Sequence, residues 1–297
     1  MSKPRIAFLG LGIMGGGMAR NLLTKGFPLA VFNRNAEKSK PFASDGARVA
    51  NSPREAAENA DVIISMVADD NAARSLWLGE VRAGQANGAL AGAKPGTICI
   101  ECSTVTVGWI HELAAAATQK QKCELLDAPV TGSKTHAASG ELNFLVGGDS
   151  ATLEKARPVF AAMGKNVSLL GPIGSGALVK LINNFVCGVQ IASLAEALAM
   201  IERSGLDRTK ALEVLTGGAP GSPLVKTVAA RMTAPDFTPN FLLRLMAKDL
   251  GYAIAEGKKV SVELMTAAAA LDSFQKSIAA GHGEKDIAAI VEKFRKN

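Results

Sequence analysis

Lys180 stands in "GALVKLINN", residues 176–184, among apolar neighbours and just ahead of two asparagines. An ammonium in such a setting costs free energy unless it is paired, hydrated in a cleft or neutralised, or unless its stem carries the charge out to solvent at a helix end. Lys180 and Asn184 are four residues apart, so on a helix they project from one face. One chemistry open to such a lysine is acid catalysis. An ammonium beside a carbonyl oxygen stabilises a developing alkoxide and supplies its proton while hydride arrives at carbon. Free lysine titrates near about 10.4, and an apolar setting lowers that value toward neutrality. Of His111, His136 and His282, none lies in a comparable context, although His136 closely follows "DAPVTGSK" and could border the same pocket.

A second group of residues lies at the start of the chain, where "IAFLGLGIMGGGMARNL" interrupts an apolar stretch with glycines. Lys3 and Arg5 ahead of it invite a secretory-signal reading, and the glycines invite a flexible one. The next residues favour neither. Met18, Leu22 and Leu23 fall on one side of a helix that ends at Gly26, where a left-handed cap is expected, and a strand "LAVFN" comes after it at 29–33. Within this strand–helix–strand unit Gly10, Gly12 and Gly15 match G-x-G-x-x-G: one for the turn, one for backbone approach to a pyrophosphate, one for close helix packing. An acid about 20 residues on would accept from a ribose hydroxyl. Here Asn33 and Arg34 stand in its place, and Lys38 lies four residues further on. A guanidinium binds a 2′-phosphate in forked geometry where a carboxylate would repel it; the plain alternative is an ordinary exposed loop arginine. The expected cofactor is NADP(H).

These residues need a scaffold. Apolar strand candidates recur at "VIISMV" (62–67), "TICIEC" (97–102), "ELLDAPV" (124–130), "LNFLVGG" (142–148) and "VSLLG" (167–171), with helical stretches between most of them. The alternation predicts a largely parallel sheet with helices on both faces, with Asp149 as N-cap of a helix from Ser150. Beyond Gly176 nearly every stretch reads as helix, beginning with one of roughly 28 residues that is apolar most of the way round and therefore packed by other helices or by a second subunit. The expected fold is α/β: a doubly wound Rossmann sheet over residues 1–172 and an all-α domain over 173–297, joined at "GPIGSG" by the long interdomain helix.

Composition bounds the function class. At 297 residues, 48% hydrophobic and 20% charged, the chain is long enough for two cored domains. Its net charge of +6 is spread along the sequence, which suits an anionic small molecule better than nucleic acid. No apolar run approaches the roughly 18 residues needed to span a bilayer, so no membrane association is expected. Four cysteines include one close pair, Cys99 and Cys102. On a strand, side chains three apart point to opposite faces, so the pair is not expected to hold a metal. Reduced core cysteines fit a cytoplasmic protein.

Four segments in order resemble the β-hydroxyacid dehydrogenase family, which includes 3-hydroxyisobutyrate dehydrogenase, tartronate semialdehyde reductase and the glyoxylate/succinic semialdehyde reductases. They are "FLGLGIMGGGMARNL", "DAPVTGSK", "GSGALVKLINN" and "KDLGYA", and the match covers essentially the whole chain. The resemblance implies that Lys180 donates the proton and that Asn184 helps to hold that lysine or the forming hydroxyl. It implies that Thr131, Gly132 and Ser133 bind a substrate carboxylate, with Lys134 extending that surface and Phe241 lining the pocket. It adds Ile13, Met14, Val67 and Thr104 to the cofactor contacts and has Lys248 and Asp249 close over the nicotinamide end. A homodimer or homotetramer is expected.

Two departures stand out. The family commonly has Ser where this chain has Thr131, which adds a methyl to the pocket, and a proline often present soon after "ST" is absent from "STVTVGW". The "GSK" after Thr131 and the position of Phe241 look most like the glyoxylate/succinic semialdehyde branch. Alternatives are a 3-hydroxyisobutyrate or tartronate semialdehyde enzyme, a phosphogluconate dehydrogenase, which would carry His at Asn183, and an imine reductase. A non-catalytic NADP-binding module would lack Lys180.

Overall fold

The computed structural model describes residues 3–79, 81–82, 85–234 and 236–295. The chain divides into two compact units, Met1–Lys180 and Leu181–Asn297. Its strands are β1 (Ile6–Leu9), β2 (Leu29–Phe32), β3 (Arg48–Val49), β4 (Val62–Ser65), β5 (Val81–Arg82), β6 (Gln85–Ala86), β7 (Ile98–Glu101), β8 (Glu124–Asp127), β9 (Val130–Thr131), β10 (Leu142–Gly147) and β11 (Gly164–Gly171). All but the short β5–β6 pair join one sheet of order β11-β10-β8-β7-β4-β1-β2-β3, with β9 on β10. From β3 to β8 every pairing is parallel.

Strands in such a sheet are covered on both faces and therefore read as continuous apolar runs. Along β1, Ile6 and Phe8 enter one core while Ala7 and Leu9 enter the other; Ile63 likewise parts from Val62 and Ile64. Cys99 and Cys102 follow the same rule and lie in opposite cores. The strand order reverses between β1 and β4, and the crevice beyond the carboxyl ends of such a pair is where ligands bind in open α/β sheets. Gly10, Met66 and Val67 lie directly after those two ends.

Three local differences from the sequence pattern have physical causes. "ELLDAPV" is not one strand: Ala128 and Pro129 separate β8 from β9, both of which run antiparallel to β10 in one register, because proline cannot donate to a ladder. β11 begins at Gly164, earlier than its apolar run, because backbone pairing with β10 carries it through Lys165 and Asn166. The exposed edge strand β3 has no apolar alternation to announce it.

The long helix runs Ser175–Arg203, and the division between units falls inside it, between Lys180 and Leu181, later than the "GPIGSG" junction. The expectation that no segment is long and apolar enough to cross a membrane is corrected. This helix contains an 18-residue window of mean hydropathy 1.5 with at most two charged residues, which satisfies length and composition for a span. Half of that window is buried within the protein.

In the second unit, Ile191, Leu194, Ala195 and Leu198 of this helix pack with Val228, Met232, Leu243, Met246, Leu250, Phe274 and Ile287–Val291. Gly188 permits the close approach: a Cβ there would lie 2.9 Å from Leu250 Cδ2 and 3.0 Å from Met246 Sδ. The helices Pro223–Thr233, Leu243–Lys259 and Met265–Ser277 complete the unit around that core.

Candidate active site

The glycine loop is built as its spacing requires. Gly10 takes φ +99°, and a Cβ there would meet Met66 O at 2.3 Å. Its N–H donates to Phe32 O at 2.9 Å, which ties the loop to the end of β2. Gly15 begins the helix Gly15–Thr24 so close to the turn that a Cβ would lie 2.0 Å from Gly10 O. Gly12 differs from both. A Cβ there would meet nothing within 4 Å, so the space over its backbone is open. The helix has no side-chain cap and no acid in its first turn, so its N-terminal N–H groups and dipole suit an anion. The loop therefore fits a dinucleotide pyrophosphate, with half-buried Met14 and exposed Ile13 on the same turn.

Asn33 acts inward. Its Oδ1 accepts from Leu11 N at 2.8 Å and its Nδ2 donates to Asn35 O at 2.9 Å, so it braces the loop. Arg34 and Lys38 are exposed beside it. Val67, after β4, donates its N–H to Ser103 Oγ at 2.8 Å, which joins it to the segment holding half-buried Thr104.

Sequence reasoning missed what stands behind that segment. Glu101 is fully buried at the end of β7; its Oε2 accepts from Trp77 Nε1 at 2.7 Å and its Oε1 from Ser103 N at 2.8 Å. Burial raises its pKa above the ordinary value, against the lowering effect of hydrogen bonds from Ser103, Ser65 and Trp77. The acid inside "TICIEC" was the available signal, since a buried carboxylate needs donors.

The "TGSK" loop leaves β9. Thr131 is half-buried and its Oγ1 lies 3.4 Å from Asn143 Nδ2, a long contact that leaves the hydroxyl available. Gly132 takes φ +125°. Ser133 caps the short helix Lys134–Ser139: its N–H donates to His136 Nδ1 at 3.1 Å and its Oγ lies 2.8 Å from the same atom. His136 thus shapes this loop, and Lys134 is exposed. Lys180 is half-buried on the long helix, one turn before Asn184.

In the second unit three of the expected residues come together. Asn184 and Asp249, 65 positions apart, meet through a 2.6 Å bond from Nδ2 to Oδ2, and both are buried. Lys248 Nζ reaches Asp249 Oδ1 at 2.9 Å and sits 4.8 Å from the centre of the Tyr252 ring. Asp249 thereby fixes the amide of Asn184, whose Oδ1 accepts from Asn183 Nδ2 at 2.9 Å. Phe241 is half-buried against the second core, and its N–H donates to Asp286 at 3.2 Å. Asp286, also missed, is buried and binds Arg231 and the Asn240 N–H as well.

Residues 5–171 match the NAD binding domain of 6-phosphogluconate dehydrogenase, and residues 174–294 match the NAD-binding domain of NADP-dependent 3-hydroxyisobutyrate dehydrogenase. An NAD-dependent L-serine dehydrogenase from Pseudomonas aeruginosa is 35% identical over 297 residues, covering 98% of this chain and 97% of that one. Among solved structures, a 3-hydroxyisobutyrate dehydrogenase from Mycobacterium tuberculosis, determined with L-serine, shares 32% identity at a TM-score of 0.86, over 99% of this chain and 100% of that one. The 3-hydroxyisobutyrate dehydrogenase from Salmonella typhimurium shares 29% identity at a TM-score of 0.88, over 98% and 99%. Matched in both halves and along nearly its whole length, the chain belongs to the 3-hydroxyisobutyrate dehydrogenase-like β-hydroxyacid dehydrogenases, NAD(P)-dependent oxidoreductases that act on hydroxy acids.

Proposed function

We propose that the protein is an NADPH-dependent reductase of small aldehyde acids of the glyoxylate or succinic semialdehyde type, returning the corresponding hydroxy acid. The observation that carries the reading is Asn184, one turn beyond Lys180 on the same helix, with its amide fixed by a bond to Asp249. When bound, the cofactor supplies the hydride. Lys180 holds the proton and gives it to the carbonyl oxygen, and Asn184 orients the oxygen or the ammonium through an amide that Asp249 has already fixed. Thr131 Oγ1 and the Gly132 and Ser133 region hold the substrate carboxylate, with Lys134 adding charge. Arg34 and Lys38 take the 2′-phosphate of the cofactor.

A second reading, oxidation of L-serine or 3-hydroxyisobutyrate with NAD, is favoured by the names of the two relatives associated with L-serine. One panel separates them: glyoxylate, succinic semialdehyde and uncharged butanal with NADPH and NADH, against L-serine and 3-hydroxyisobutyrate with NADP⁺ and NAD⁺. The first reading expects the highest kcat/KM for an aldehyde acid with NADPH, far above butanal. A higher value for L-serine with NAD⁺ replaces it with the second.

The enzyme is proposed to work as a homodimer or homotetramer. Leu178, Val179, Ile182 and Val186 share one face of the long helix and are 38%, 36%, 51% and 44% exposed; a face of this kind is suited to a second copy.

A further inference from the structure

We propose that Asp127 is a positioning residue for Lys180, holding the first turn of the long helix against the end of β8 so that the ammonium is presented at a fixed place. This rests on the reading of Lys180 as proton donor. Asp127 is fully buried at the last position of β8. Its Oδ1 accepts from Gly174 N at 2.7 Å and its Oδ2 from Ala177 N at 2.7 Å. A helix leaves its first N–H groups without intrahelical partners. Here a carboxylate from a distant strand takes two N–H groups where the long helix begins, and its charge complements the helix dipole. Lys180 lies three residues, close to one turn, beyond Ala177.

Nearby glycines are explained by this seat. Gly174 takes φ +93°, which turns its N–H into the carboxylate's reach. A Cβ on Gly176 would lie 2.1 Å from Leu145 O and 2.9 Å from Asp127 Oδ2. A Cβ on Gly147, which pairs with Asp127 across β10 and β8, would lie 2.4 Å from Asp127 Oδ1. Backbone from β8, β10 and the helix thus closes around one carboxylate, and "GSGALVK" reads as the seat followed by the group it seats. A neutral amide cannot replace it. Asn offers one acceptor oxygen, and its NH₂ would face the second N–H.

The test is a double-mutant cycle between Asp127→Asn and Lys180→Ala, because two residues that act through one another show non-additive losses. Single-turnover kcat is normalised to protein that binds NADPH by cofactor fluorescence, so unfolded protein does not count. Asp127→Asn is expected to lower kcat at least tenfold with the NADPH Kd within twofold. In the Lys180→Ala background it should cost less than a further twofold. An equal fold-loss in both backgrounds marks a merely structural role and overturns the proposal, as does an unchanged kcat in the single variant. If Asp127→Asn yields no NADPH-binding protein, Gly176→Ala, which keeps the carboxylate and displaces the helix turn, decides by the same pattern. The two readings fail differently. Wild-type kcat in Lys180→Ala removes the proton-donor role itself, whereas a normal loss there with additive Asp127 effects removes only the positioning role.

Discussion

Asn33 occupies the place where an acid would select a ribose hydroxyl, and it uses its amide to brace Leu11 and Asn35. On the proposed reading, selectivity for the ribose end passes to Arg34 and Lys38, both exposed. A charged hydrogen bond contributes about 1.5–3 kcal/mol, so Arg34→Ala should weaken NADPH roughly ten- to a hundredfold and NADH little. Fluorescence titration of both cofactors checks this, and equal weakening would remove Arg34 from the phosphate site. Lys180→Ala should lower turnover by about 10²–10⁴-fold, the usual contribution of general acid catalysis, with NADPH still bound. Glu101 carries a pH signature. Its pKa is raised chiefly by burial, so the folded protein keeps a proton at pH values where the unfolded chain has lost it. The stability it contributes is full below the unfolded value, about 4.3, and falls as pH rises through the folded value. Gln does not titrate, so the Tm gap between wild type and Glu101→Gln should be wider at pH 4 than at pH 7. A gap that is constant with pH would show that Glu101 does not titrate in that range.

Among the elements, the glycine loop and its helix separate binding from folding. Gly12→Ala adds a methyl where nothing lies within 4 Å, so its Tm should match the wild type while NADPH affinity drops at least tenfold. Gly15→Ala drives a Cβ to 2.0 Å from Gly10 O, a clash between helix and turn that overpacks the site, and its Tm should fall by several degrees. Thermal melting and cofactor titration of the pair check both statements; equal Tm losses would mean that Gly12 is structural. The glycine spacing and the strand–helix–strand order make this element legible in the sequence. "ELLDAPV" was not legible in the same way, because apolar content does not reveal where Ala128 and Pro129 interrupt the strand between β8 and β9.

The long helix has the widest consequences for the molecule. Its apolar character forecast a packed helix, and its hydropathy also meets the requirement for a span. The stripe of Leu178, Val179, Ile182 and Val186 leads to the expectation of a homo-oligomer by light scattering. Ile182→Glu, at the most exposed of the four, should shift the mass toward the monomer. An unchanged mass would assign that face another role.

The features legible in residue order alone are local and periodic: the alternation of strands and helices, the glycine loop, the missing acid before Arg34, and a lysine on an apolar helix one turn from Asn184. They are legible because they depend on spacing within a few residues. Only the folded chain reveals that Asn184 meets Asp249 across 65 positions, that Glu101 at the end of β7 takes the indole N–H of Trp77, and that Asp127 grips the N-terminus of the helix bearing Lys180. Each is a polar group buried where water is excluded, and its partner is set by which backbone ends the packed cores bring within hydrogen-bonding distance. Nothing in residue spacing encodes that.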